Sequence, residues 1–351
     1  MPGPVEWLRE NLFSTPFNSV LTLLALFLIY WIVVPFFQWA IVDAAWFGTT
    51  RDVCLERENG ACWPFIIQRV DQFVYGFYDV AERWRVDIAL GGLATGLLWL
   101  MLPGMPAKRG IGVLMLTLFP VVAFVLLVGG FGLERIPTER WGGLIITLVV
   151  AVTGIVASLP LGILLALGRR SELPVVKGLS VAFIEFWRGV PLITVLFMAV
   201  NMLPLFMGVS VNKLLAALIA VALFSSAYMA EVVRGGLQAI PKGQYEAAAA
   251  MGLGYWRSMV FVILPQALRL SLPNIVGNFI GLLKDTSLVS IIGFFDLLGI
   301  AQVGTSDANW ATPNTALTGY VFVGAVYWAM CFSMSRYAKN LEGVLASGEK
   351  R

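Results

Sequence analysis

The chain has 351 residues, of which 59% are hydrophobic and only 13% charged, with a formal net charge of +3 and no histidine. An ordinary soluble domain carries about 25% charged residues, so this composition excludes one and makes the bilayer the main solvent. Without histidine there is no imidazole base, no Ser-His-Asp arrangement and no zinc-binding helix signature, and no G-x-x-x-x-G-K-[ST] loop is present to hold a nucleotide. The small, dispersed positive charge does not suit a nucleic-acid partner, and no spacing of side chains points to a metal or a cofactor.

The first residues, Met1-Pro-Gly-Pro4 with Glu6 and Glu10, lack the basic start and cleavage site of a signal peptide, so the first apolar run is expected to stay attached. A spanning helix needs about 20 mostly apolar residues. Candidates fall at 19–41, 88–103, 111–130, 143–167, 180–206, 213–233, 270–292 and 316–335, which predicts an all-α integral membrane protein of about eight transmembrane helices. The second is short and contains Gly91, Gly92 and Gly96, and Pro103-Gly104-Met105-Pro106 reads as a tight turn into the third. Pro160, Pro191 and Pro204 interrupt later spans, where bending is one outcome, but membrane helices tolerate proline and no role is assigned to them.

Between the first two spans, residues 42–87 mix charged side chains with Phe73, Tyr75, Phe77 and Tyr78, which suits a small folded cap or an interfacial segment. Cys54 and Cys62 share this loop and can pair if it faces an oxidising compartment; two free thiols are the alternative. Lys and Arg concentrate on the other side, at Lys108, Arg109, Arg169, Arg170, Lys177, Arg234, Lys242, Arg257 and Arg269, whereas 293–315 has neither. The positive-inside rule then puts both termini in the cytoplasm and 42–87 outside.

The most informative stretch lies between Arg234 and Arg269. Gly243-Gln-Tyr245 should lead into a short helix of Glu246 to Met251, which Gly252 can end in a left-handed conformation. A second amphipathic helix is expected from Tyr255 to Leu264, stopping at Pro265. Four alanines leave the first helix bare enough to seat closely in a partner's groove, with Glu246 supplying a charge. This is a docking element on the cytoplasmic side.

In these residues the chain resembles the permease subunits of bacterial ATP-binding-cassette importers, whose shared loop reads E-A-A, three residues, G, nine residues, I-x-L-P. Glu246, Ala247, Ala248, Gly252, Leu264 and Pro265 match that spacing, and Val262 replaces the isoleucine. Glu185-Phe-Trp-Arg-Gly-Val-Pro-Leu192, Tyr228-Met-Ala-Glu-Val-Val-Arg-Gly-Gly236 and Lys284-Asp-Thr-Ser-Leu288 are similar to the polar amino-acid importers. Gly60-Ala-Cys-Trp63 and the general layout resemble the long permease of general L-amino-acid systems.

That resemblance implies a five-span permease core at 136–341, preceded by a three-span extension at 1–135 and followed by a cytoplasmic tail at 342–351. It further implies a bacterial inner-membrane complex of two permeases, here two different ones, with ATPase subunits and a periplasmic substrate-binding protein. The cargo would be an L-amino acid, and ATP hydrolysis would belong to the separate ATPases. The rival readings are an ion-coupled secondary amino-acid carrier and a membrane-embedded enzyme. Neither explains the loop at Glu246.

Charges inside spans need a reason, since each costs about 2.5–3.5 kcal/mol at a helix centre on insertion scales. Lys284, Asp285, Thr286 and Ser287 either line the substrate path or neutralise neighbouring helices. Glu185 with Arg188, and Glu231 with Arg234, stand three apart on one helix face and read as structural polar pairs.

Overall fold

The structure is a computed structural model that describes residues 3–102, 104–208 and 211–347. Among them there are helices and isolated bridges but no strands. Pro103 of the expected turn and the last four residues of the expected tail lie outside the described residues. The chain divides into two units, Met1–Val70 with Gln302–Phe322, and Asp71–Ala301 with Val323–Arg351.

In the first unit, α1 (Pro4–Asn11) precedes α2 (Pro16–Phe37), which continues as a π turn through Val42. Helix α2 is apolar all round and buries no residue, as a helix does when lipid is its solvent. Next come α3 (Asp52–Leu55) and α4 (Trp63–Gln68), and a disulfide joins Cys54 to Cys62. Gly60 is required here because a Cβ would run into the Asp43 carbonyl. The same unit ties distant sequence together: Cys62 N–H donates to Thr318 Oγ1 at 2.9 Å, Arg69 pairs with Asp307, and Phe65 packs on Trp310.

The second unit begins in α5 (Val70–Tyr75) and continues into α6 (Arg83–Met101) and α7 (Lys108–Val128). The glycines that seem to weaken this hairpin in the sequence serve its packing. A Cβ on Gly92 would press on Phe119, and one on Gly96 would overlap Met115. Small residues do the same between α8 (Gly143–Arg169) and α12 (Lys213–Ala239), where Gly154 meets Val221 and Gly162 meets Met229. Close backbone approach of this kind is how helices associate in lipid.

Between α8 and α12 the chain does not run as one straight span. Helix α9 (Pro174–Gly189) and α10 (Leu192–Phe197), the latter continuing through a π turn to α11 (Leu203–Met207), meet at an angle of 101°. The break falls at Val190, extended at φ −104° and ψ 132°, because the residue before a proline avoids helical geometry. Of the described helices, six are long and apolar enough to cross a membrane, or seven with the bent pair counted as one. Helix α6 falls outside that count, with Arg83, Arg85 and Asp87 in its first turns.

After α12 come α13 (Lys242–Ala250), α14 (Tyr255–Ser258), a π turn over Met259–Ile263, and α15 (Leu264–Leu270). Pro265 therefore does not end the helix. The wider π turn just ahead absorbs the hydrogen bond a proline cannot donate, and the helix runs on. Helix α16 (Leu272–Asp285) passes into a 3-10 stretch to Ile292, and α17 (Leu297–Thr305) and α18 (Thr315–Ser347) complete the chain.

Candidate coupling site and ionic node

Helix α13 begins at Lys242, four residues earlier than the sequence pattern suggests, because Pro241 takes the extended N-cap position. Its end follows from Gly252, at φ +73°. Gly252 N–H donates to the Ala249 carbonyl at 2.9 Å and Leu253 N–H reaches back to Ala248 at 3.1 Å, the paired bonds of a Schellman cap. Nothing lies within 4 Å of a Cβ built on Gly252, so the demand for glycine is conformational, not steric.

One side of this helix is held and the other is free. Ala248 is buried, and Tyr245 donates its hydroxyl to the Leu237 carbonyl of α12 at 3.3 Å. Arg170, just past α8, donates to the Tyr245 hydroxyl at 3.0 Å and lies over its ring. Gln266 of α15 donates to Gln244 at 3.2 Å. Glu246, Ala247, Ala249 and Ala250 face outward, followed by Met251, 80% exposed, and Trp256, 65% exposed. Leu264 packs half-buried against the cluster around Ile263, while Pro265 is exposed.

The charged residues ahead of this element form a node centred on Glu231. Arg169 donates to Glu231 at 2.9 Å and to Glu185 at 2.8 Å. Arg234 donates to Glu231 through two nitrogens, at 2.8 and 2.9 Å, and Arg188 stands at 3.8 Å from it, over the Tyr228 ring. Glu185 and Arg188 thus pair with Arg169 and Glu231 and not with one another. The node joins the ends of α8, α9 and α12. Arg169 is its unforeseen member, visible in the sequence only as a basic residue beyond a span.

Lys284 is exposed and Asp285 half-buried, and neither makes an ion pair among the described residues. Thr286 is buried, donating to the Leu283 carbonyl at 2.8 Å and bonded to the Tyr327 hydroxyl at 3.1 Å. Ser287 returns to the Lys284 carbonyl at 2.9 Å. Tyr327 donates onward to Asp296 at 3.0 Å. Asp296, fully buried, also accepts from the backbone of Leu298 and Gly299 and so caps α17. Burial holds its carboxyl above the ordinary carboxylate range, opposed in part by those donors.

The arrangement is a half-anchored short helix with an open small-residue face. Residues 158–344 match the family described as binding-protein-dependent transport system inner membrane component. The chain belongs to this family. It is 52% identical over 343 residues, 96% of the chain and 91% of the relative, to the inner membrane amino-acid ABC transporter permease protein YhdY of Escherichia coli strain K12. The glutamate/glutamine/aspartate/asparagine transport system permease protein BztC of Rhodobacter capsulatus is 39% identical, covering 97% of the chain and 93% of that protein. The probable glutamine ABC transporter permease protein GlnP of Bacillus subtilis covers 61% of the chain but 97% of its own length, at 35% identity. A solved amino acid ABC transporter with histidines aligns over 57% of the chain and 91% of its own, with a TM-score of 0.51 and 32% identity. Membership in this family makes the chain an importer permease and sets the ion-coupled carrier aside.

Proposed function

We propose that this permease moves L-amino acids into a bacterial cytoplasm, driven by ATP hydrolysis on separate ATPase subunits. The observation that carries the reading is the half-anchored helix α13, whose free face bears Glu246 and small side chains at the spacing shared by importer permeases. The amino-acid cargo rests on relatives of nearly full length whose names specify amino acids. Glu246, Ala247, Ala248, Gly252, Leu264 and Pro265 form the joint to the ATPase. Motion there is passed inward through Tyr245 and Arg170 to α8 and α12, so that each nucleotide state favours one access state.

The remaining partners are a periplasmic substrate-binding protein and a second permease, different from this one. Residues 136–341 make up the core and 1–135 the extension, with both termini cytoplasmic and the Cys54–Cys62 loop outside. The family match at residues 158–344 falls largely within that core. Lys284 and Asp285, without ion partners among the described residues, are assigned with Thr286 and Ser287 to the substrate path, where a zwitterion presents opposite charges.

The deciding experiment purifies the tagged chain from its native membranes in mild detergent and identifies its companions by mass spectrometry. Recovery of an ATPase and a second permease with the wild type, and selective loss of the ATPase with Glu246→Arg, is the expected result. Intact preparations that never contain an ATPase would overturn the proposal.

A further inference from the structure

Helices α12 and α15 meet with no side chain between them. A Cβ built on Gly236 would overlap Ser271 Oγ and stand 2.5 Å from the Ala267 carbonyl oxygen. The serine hydroxyl can turn away, but the carbonyl is backbone, so a methyl here forces the helices apart. Gly236, Ala267 and Ser271 are all buried. Ser271 Oγ donates to the Ala267 carbonyl at 2.9 Å and to the Val232 carbonyl of α12 at 3.3 Å, which fastens the contact.

Two further bonds close a bracket around this point. Tyr245 of α13 donates to the carbonyl of Leu237, next to Gly236, and Gln266 of α15 donates to Gln244 of α13 at 3.2 Å. Each of α12, α13 and α15 is therefore tied to the other two. Beyond Ser271 such ties stop. From Leu272 to Asp285, α16 makes no side-chain hydrogen bond or ion pair to another helix among the described residues, and Leu282 meets Gly154 of α8 through apolar surface alone.

The backbone changes at the same place. Ser271 ends α15 and begins α16, and Pro273, in the first turn of α16, has no N–H for the Arg269 carbonyl. A serine that bonds back to the carbonyl four residues earlier favours a bend. Within α16, Asn278 Oδ1 is buried without a hydrogen-bond partner among the described residues. Buried acceptors are nearly always paired, so a second seat of α16 that pairs or wets this oxygen relieves a cost present in this one.

We propose that Gly236 and Ser271 are positioning residues for transport, the fulcrum on which α16 turns when α13 is displaced. The bracket of α12, α13 and α15 moves as one body, and α16 changes its angle to that body. Helix α16 has 14 residues, so a tilt of about 10° moves its far end, with Lys284 and Asp285, by about 4 Å. The proposal rests on the reading of α13 as the joint to the ATPase, and it adds a route separate from the one through Arg170.

The test uses the full importer in nanodiscs, nucleotide-free and trapped with ATP and vanadate. Spin labels are placed in pairs in a Cys331→Ser background, where the remaining cysteines form the Cys54–Cys62 disulfide. Gln238→Cys with Val260→Cys spans the bracket, and Gln238→Cys with Ile291→Cys spans the fulcrum; all three positions are exposed. Electron-spin distances should show the first pair constant between the two states and the second pair changed. In Gly236→Ala the first distance should become state-dependent, and uptake per ATP hydrolysed should fall about tenfold, within the range for mutations along a coupling route. Ser271→Ala, which keeps the close contact and loses the bond to Val232, should lower that ratio about threefold. A fixed second distance in a wild type that hydrolyses ATP and takes up substrate overturns the fulcrum alone. Equal loss of hydrolysis and uptake in both variants also overturns it, since packing by itself would do that. A wild type without ATP hydrolysis overturns the reading of α13, and the fulcrum with it. Should Gly236→Ala fail to fold, the wild-type distances and Ser271→Ala still decide.

Discussion

Arg169 and Arg170 are adjacent at the end of α8, yet they serve different structures. Arg169 enters the node around Glu231 and Glu185, while Arg170 reaches Tyr245 of α13 and the Leu237 carbonyl of α12. The end of one helix thus fixes both the meeting of α8, α9 and α12 and the seat of α13. A shift of α13 has a direct mechanical route into α8.

Tyr245 is the sensitive point of that route. Tyr245→Phe keeps the ring under Arg170 and the direct Arg170 bond to the Leu237 carbonyl, but removes the hydroxyl that accepts from Arg170 and donates to Leu237. Losing these bonds should weaken the seating of α13 by about 1 kcal/mol or somewhat more. Transport by reconstituted importer should fall several-fold while ATP hydrolysis continues and protein level is unchanged. Unaltered coupling between hydrolysis and uptake would show that the anchor carries no motion.

The node makes a separate prediction about stability. Glu231 is the acceptor for Arg169 and Arg234, with its side chain 16% exposed. Glu231→Gln leaves several guanidinium groups without their shared counter-charge and should lower stability by about 2 kcal/mol, in the range for hydrogen bonds to charged groups. Adding Arg169→Gln should restore part of the loss, because both changes fall in one network. Thermal unfolding in detergent of the two single variants and the double variant completes the cycle. Strict additivity would argue that Arg169 and Glu231 act independently.

Much of α13 and its surroundings is legible in the sequence because its constraints are local. Gly252 is readable as a cap since only glycine takes φ +73° freely. Pro265 misleads for an equally local reason: nothing in Met259–Ile263 announces the π turn that lets the helix pass through it. The node is harder. Spacing by three along one helix finds Glu231 with Arg234, but Arg169 arrives from α8, and its partnership exists only after the helices pack. Asp296 is similar, an isolated acid whose partner Tyr327 lies 31 residues away; its one local signal is its place before Leu297-Leu-Gly299, where an aspartate caps a helix.

Gly252→Val tests the cap without touching the exposed face. A β-branched residue in the left-handed region costs roughly 1–2 kcal/mol, which should unwind the last turn around Ala248 and Ala249. Membrane insertion and the Glu231 node should remain, while recovery of the ATPase with the purified permease drops. If the ATPase is retained at wild-type levels, α13 tolerates a frayed end and its precise cap is not part of the joint.

The last prediction separates the exposed and buried halves of the Lys284–Ser287 segment. Lys284 has no ion partner and no hydrogen-bonding role for its side chain among the described residues, so Lys284→Met should leave folding intact. If it lines the path, apparent KM or maximal uptake rate changes while the thermal midpoint stays constant. Tyr327→Phe should behave in the opposite way. It removes a donor from the buried Asp296 and the tie to Thr286, a loss of about 1.5–3 kcal/mol for a bond to a charged acceptor, and lowers the midpoint. Uptake assays and thermal melts on the same two preparations make the comparison. Were Lys284→Met to lower protein level and nothing else, the lysine would be holding the helix bundle, and the path would have to run along another face.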